Sequence, residues 1–172
     1  MRTERIALVG MMGAGKSSVA RMLADRLRWR LVEVDAVVAE LAGQSIPELF
    51  ATSGEEAFRE LEEAEAIAVL TGPSQVVVDL GGGAPTREAT RTALREGATV
   101  VWLRASPATL AARVGNGAGR PMLGADPLAS ITALCEERAE DYEAAADYIL
   151  DVDDLSTREV CDRIVVLTSG ER

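Results

Sequence analysis

The sequence predicts an α/β fold in which a mostly parallel sheet is covered by helices on both faces. Three observations carry this reading. Short apolar runs of strand length alternate with helix-length amphipathic stretches along the chain. The first run leads straight into a glycine-rich loop and then a helical pattern. With 172 residues, 48% of them hydrophobic, the chain can bury a core without disulfides or a structural metal. One domain over residues 1–172 is expected.

Each element has a local reason. Ile6-Ala7-Leu8-Val9 is a continuous apolar run, as a buried parallel strand requires. After the loop, Val19, Met22, Leu23 and Leu27 recur at helical spacing. The second strand is expected at Leu31–Val34, with helical patterns at Asp35–Ala42 and Glu55–Leu70 after it. The third strand, Gln75–Leu80, precedes a helix over Arg87–Arg95. A fourth at Ala98–Leu103 precedes Pro107–Val114, and a fifth at Tyr148–Val152 lies between helices at Ala129–Ala146 and Thr157–Leu167. No internal repeat or low-complexity tract interrupts this order. Residues 115–126 stand apart, with four glycines around Arg120. They fit a lid that closes over a ligand, or a plain surface loop.

Composition excludes several classes. A formal charge of −10 argues against nucleic acid as a partner and against an anionic membrane surface. Only six residues are aromatic, too few for a base-stacking surface. Apolar runs such as Ile164–Leu167 fall far short of the roughly 20 residues that span a bilayer. Arg2, Glu4 and Arg5 precede a short apolar stretch ending in glycines, unlike a secretory signal, so a cytoplasmic protein is expected. The chain has no histidine, which removes His-based general bases, Ser-His-Asp triads and His metal sites together. Cys135 and Cys161 are too few for a zinc site and read as idle thiols.

The basic residues are lopsided: of 18, one is lysine, Lys16, and 17 are arginine. Lys16 lies in Gly10-Met11-Met12-Gly13-Ala14-Gly15-Lys16-Ser17, a match without exception to G-x-x-x-x-G-K-[ST] in strand–loop–helix context. Such a loop curls so that several backbone N–H groups face one anion, and the helix N-terminus adds partial positive charge. Gly13, Ala14, Gly15, Lys16, Ser17 and Ser18 are therefore the expected ATP site. Lys16 would reach the β- and γ-phosphates, and the Ser17 hydroxyl would ligate Mg²⁺. A GTPase would need a second lysine in its guanine-reading Asn-Lys-x-Asp, and the length is short for a mechanical ATPase. A small kinase acting on a diffusible acceptor remains.

Candidate acceptor residues are less specific one by one. Asp35 follows the second strand at the edge where open α/β sheets bind ligands. It could accept hydrogen bonds from substrate hydroxyls and take a proton, or simply cap the helix behind it. Arg59 and Arg138 have the planar fork that matches a carboxylate. Equally, Glu62 and Glu63 lie three and four residues after Arg59, and Asp141 three after Arg138, as in ordinary exposed helical ion pairs. Gly81, Gly82 and Gly83 follow a strand and allow either close ligand approach or a sharp turn.

Taken in order, these residues resemble a known family. Asp35-Ala36-Val37-Val38-Ala39-Glu40, Gly43-Gln44-Ser45-Ile46-Pro47-Glu48-Leu49-Phe50, Gly54-Glu55-Glu56-Ala57-Phe58-Arg59-Glu60-Leu61-Glu62, Gly81-Gly82-Gly83-Ala84, Arg120-Pro121, and Arg138 with Tyr142 resemble shikimate kinase. The likeness runs from the phosphate loop to about Asp151. It implies a P-loop, nucleoside-monophosphate-kinase-like three-layer fold with a five-stranded parallel sheet and a mobile lid, here about residues 114–126. It implies transfer of the γ-phosphoryl group of ATP to the 3-hydroxyl of shikimate, giving shikimate 3-phosphate and ADP in aromatic amino acid biosynthesis. Shikimate and MgATP are then the expected partners, and a monomer the expected state. The resemblance gives Asp35 the shikimate hydroxyls, Arg59 and Arg138 the carboxylate, and Glu62 the orienting of Arg59. The triple glycine would touch the acceptor, and Arg113 would pack on adenine. Arg120 would stabilise charge on the transferring group.

Two departures stand out. The family usually has Asp-x-Asp after the second strand, where this chain has Glu33-Val34-Asp35. Asp79 ends the apolar run Val76–Val78, where a small residue is commoner, and resembles a Walker B aspartate. Glu33 and Asp79 are both candidates for the Mg²⁺ shell. Rival readings are another metabolite kinase such as gluconate kinase, a nucleoside monophosphate kinase, or a nucleotide-binding regulator without turnover.

Overall fold

The strands form a single five-stranded parallel sheet in the order β2-β3-β1-β4-β5. The computed structural model describes residues 4–115 and 123–169. Arg120 and the centre of the expected lid lie outside the described residues. The strands are β1 (Arg5–Val9), β2 (Arg30–Glu33), β3 (Val76–Asp79), β4 (Thr99–Arg104) and β5 (Tyr148–Asp151). The helices are α1 (Lys16–Leu27), α2 (Val34–Ala42), α3 (Ile46–Thr71), α4 (Glu88–Gly97), α5 (Pro107–Val114), α6 (Pro127–Ala145) and α7 (Thr157–Ser169). No helix among the described residues is long and apolar enough to cross a membrane.

The strand order explains where a site can form. From β1 the chain crosses over α1 to β2 at one edge, whereas the connections after β2 all move toward the other edge. Right-handed crossovers then require α1 on one face and the helices after β3 and β4 on the other. Accordingly α1 packs with α7, while α4 packs with both α3 and α6. The loops leaving β1 and β3 diverge to opposite faces, which opens a crevice at their carboxyl ends.

The three inner strands are buried on both faces, so they are largely apolar instead of alternating, while the edge strands β2 and β5 are partly exposed. Ile6–Val9, Val76–Val78, Val100, Val101 and Leu103 are buried. Asp79 is the buried acid in this set, in register with Leu8 on β1 and Glu33 on β2.

One helical segment was not foreseen. Helix α3 starts at Ile46, nine residues before the expected Glu55, and breaks at Gly54, whose φ of 83° is non-helical. The signal was present as Ser45-Ile46-Pro47-Glu48. The Ser45 hydroxyl accepts from the Glu48 backbone N–H, and the Glu48 carboxylate accepts from the Ser45 N–H at 2.8 Å. This capping box holds the short first arm, which brings Ile46, Pro47 and Phe50 to the crevice. Substituting Ser45→Ala removes the hydroxyl half of the box and leaves the backbone N–H of residue 45 to the Glu48 carboxylate. Urea unfolding should show a loss of about 1 kcal/mol with the slope unchanged.

Candidate active site

A cleft of about 850 Å³ opens at the carboxyl ends of β1, β2 and β3. Its walls come from the β1–α1 loop, α2, α3 and the segment after β3.

The loop wall follows from backbone geometry. Gly10, Gly13 and Gly15 have positive φ, and Gly15 caps α1 in the left-handed region. A side chain at Gly13 would press on the Leu110 carbonyl at 2.9 Å. The loop is therefore tied to glycine both by torsion and by space. Gly13, Gly15, Lys16, Ser17 and Ser18 line the cleft, while Ala14 is buried beneath them. The Lys16 ammonium donates to the carbonyls of Gly10 at 2.8 Å and Met11 at 3.2 Å. Backbone amides, a helix N-terminus and a lysine suit a polyphosphate.

Two carboxylates flank Ser17. The Ser17 hydroxyl donates to Asp79 Oδ2 at 2.5 Å. Burial pushes the Asp79 carboxyl above its ordinary range, opposed by nearby Lys16 and the Ser17 bond. Glu33, half-buried on the adjacent strand, accepts from Arg21 at 2.6 Å. Arg21 lies four residues after Ser17 on the same face of α1, a spacing that could have flagged it. No group of three acidic or thiol side chains able to hold a metal occurs among the described residues. A divalent cation bound here would therefore draw further ligands from phosphate and water, as Mg²⁺ usually does.

The opposite wall is built around the three glycines. A Cβ at Gly81 would run into Glu62 Oε1 and come within 2.8 Å of Asp35 Oδ1. At Gly83 it would run into the guanidinium of Arg59, and at Gly82 it would sit 3.4 Å from Arg138 Nη1. Gly81–Gly83 lack positive φ, so at Gly81 and Gly83 space and not torsion favours glycine. The segment also turns, with the Ala84 N–H donating to the Gly81 carbonyl at 3.1 Å, and what approaches it here are the chain's own charged side chains.

Asp35 is not the helix cap. The N-cap of α2 is Glu33, and Asp35 stands in the first turn with its carboxylate beside Gly81. Nor are the arginines exposed. Arg59 is 8% exposed and donates to Glu62 Oε2 at 2.6 Å, with Glu55 3.3 Å away. Its guanidinium also lies over the Phe58 ring at 5.0 Å. Arg138 is 3% exposed, and its Nε is buried without a hydrogen-bond partner. The anticipated partner of Arg138, Asp141, instead pairs with Arg91 at 2.8 Å. Glu62 is fully buried with Oε1 lacking a partner, at the point where a Gly81 side chain would project. Two buried guanidinium groups and two carboxylates thus face one pocket, a pattern suited to a small polyhydroxy acid.

Tyr142 lies one helical turn after Arg138 and was not given a role by sequence. Its hydroxyl donates to the Gly82 carbonyl at 2.5 Å and its ring packs on Trp102 at 5.2 Å. Arg113, exposed on the cleft rim, donates to the carbonyls of Val152 at 3.1 Å and Gly13 at 3.4 Å. Cys135 and Cys161 are both free thiols.

Burial pushes Glu62 above its ordinary 4.5, against the pull of Arg59 and Arg138 and with the push of Asp35. A carboxyl raised on folding contributes its stability below the unfolded value and loses it as pH rises through the folded one. Thermal unfolding between about pH 4 and 8 should therefore show the native chain losing ground to Glu62→Gln as pH rises. A difference independent of pH would contradict this.

A shikimate kinase family model matches residues 12–168. A shikimate kinase of Symbiobacterium thermophilum is 41% identical over 97% of this chain and 98% of its own length. One from Nitrobacter winogradskyi is 48% identical over 81% of this chain and 65% of its own length. Among solved structures, shikimate kinase from Acinetobacter baumannii in complex with shikimate superposes with a TM-score of 0.93 at 28% identity, covering 98% of this chain and 94% of that one. The cleft and these similarities lead to one conclusion: the chain belongs to the shikimate kinase family.

Proposed function

We propose that this chain transfers the γ-phosphoryl group of ATP to the 3-hydroxyl of shikimate, releasing ADP and shikimate 3-phosphate. The observation that carries this reading is the pairing of a phosphate-type loop with the buried Arg59 and Arg138 and the solvent-facing Asp35 across one cleft. Its family relatives act as kinases, and one was solved with shikimate bound.

Each residue then has a physical task. The loop amides and Lys16 hold the triphosphate. Ser17, with Glu33 and Asp79 in register beside it, offers hard oxygen donors that fit Mg²⁺. When bound, Mg²⁺ neutralises charge on the β- and γ-phosphates. Arg59, oriented by Glu62, and Arg138 grip the acceptor carboxylate. Asp35 accepts hydrogen bonds from the ring hydroxyls and takes the proton of the attacking one. Gly81–Gly83 leave room for the ring against the backbone. The family resemblance adds Arg120 on the transferring phosphoryl group and Arg113 on adenine. Phosphoryl transfer asks for little covalent chemistry, so alignment and electrostatics supply most of the rate. We place the reaction in the cytoplasm, where free thiols such as Cys135 and Cys161 persist. We assign a monomer as the working unit, as the family resemblance implies.

A coupled ADP-release assay with MgATP tests this directly. Shikimate should stimulate turnover strongly. Asp35→Asn should lower kcat by about 10²–10⁴-fold, and Arg138→Ala should cost about 2–4 kcal/mol of acceptor binding, read as a higher KM. Slow ATP hydrolysis indifferent to shikimate would overturn the acceptor assignment. Arg120→Ala should lower kcat by about 10³-fold with little change in ATP affinity.

A further inference from the structure

The two acids beside Ser17 are not equivalent. Glu33 and Asp79 are register partners on adjacent parallel strands, so their side chains leave the same face of the sheet. Glu33 is engaged by Arg21, which holds its Oε1 at 2.6 Å. That pair is solvent-facing, with side-chain exposures of 61% for Arg21 and 28% for Glu33. Asp79 lies on the inner strand, 7% exposed, and reaches the Ser17 hydroxyl directly. Both line the cleft, but only Asp79 touches the group that would ligate a cation.

We propose that Asp79, not Glu33, is the carboxylate that completes the cation shell beside Ser17, and that Arg21 keeps Glu33 out of it. The proposal rests on the kinase reading above and adds a division of labour within it. A buried acid aimed at a phosphate-loop serine supplies an oxygen with little freedom to move, so it is pre-organised for a hard divalent ion. A longer acid paired to an exposed arginine must first break that pair and then order three side-chain torsions. Asp79 also ends β3, a strand paired on both sides, whereas Glu33 ends β2, the edge strand that pairs with β3 on one side. The inner position therefore wins on rigidity as well as on contact.

Mn²⁺ binding to the enzyme–ADP complex, followed by the electron paramagnetic resonance of free Mn²⁺, separates the possibilities without turnover. Asp79→Asn should weaken Mn²⁺ affinity about tenfold or more, and Glu33→Gln less than about threefold. Asp79→Ser should reproduce the loss and serves if the first variant is unstable. Adding Arg21→Ala to Asp79→Asn should recover part of the affinity, because Glu33 is then released. Equal losses in the two single variants, or a larger loss in Glu33→Gln, would overturn the assignment, and no recovery would overturn the role of Arg21. ADP affinity in EDTA is the control. If the native chain binds no ADP, the kinase reading fails and this inference with it; if ADP binds and Asp79→Asn leaves Mn²⁺ affinity unchanged, only the inference fails.

Discussion

Three consecutive residues without side chains at the end of β3 set how closely charged groups can approach one another. Glu62, Asp35, Arg59 and Arg138 all crowd toward the backbone of Gly81–Gly83. A single added methyl at Gly81 or Gly83 would displace a carboxylate or a guanidinium from its place in the acceptor wall. Closeness also makes the wall costly. Removing an ion from water costs several kcal/mol even after relaxation, and Arg59 and Glu62 offset this through their mutual bond, with Glu55 and the Phe58 ring adding support to Arg59. Glu62 Oε1 and Arg138 Nε remain buried without partners. Groups held in that condition gain from a ligand that supplies hydroxyls and a carboxylate, which is how burial is turned into affinity.

The strand order does the rest. Because the connections leaving β1 and β3 diverge, a phosphate-type loop and an acceptor wall meet across one crevice. Tyr142 ties the acceptor wall to the sheet: its hydroxyl holds the Gly82 carbonyl, and its ring packs on Trp102 of β4. Net charge plays little part. A chain of charge −10 presents to its ligands a lysine, loop amides and two buried arginines, and these local groups decide what binds.

Much of this was legible in the sequence, for reasons that differ by residue. The phosphate-type loop was fixed by its own spacing, and the strands by continuous apolar runs that only a doubly covered parallel sheet explains. The first arm of α3 was missed because hydrophobic periodicity is weak over so short a segment, although Ser45 and Glu48 carried the capping signal. Asp35 could equally have capped a helix, and Arg59 and Arg138 had a bland alternative that periodicity alone could not reject, because ion pairing in a helix looks the same in sequence whether buried or exposed. The structure removes those alternatives: Glu33 and not Asp35 caps α2, Asp141 pairs with Arg91, and Arg59 and Arg138 are buried. The pairing of Glu33 with Arg21 joins two elements and left no trace in local pattern.

The central claim is that the acceptor wall reads a carboxylate and hydroxyls on one small ring. Calorimetric titration of the native chain with shikimate, and with the same cyclohexene triol lacking its carboxylate, tests it most directly. Two buried arginines facing the carboxylate predict that shikimate binds more tightly by about two orders of magnitude, near 3 kcal/mol. Equal affinity for the two ligands would mean that Arg59 and Arg138 serve the fold and not the substrate.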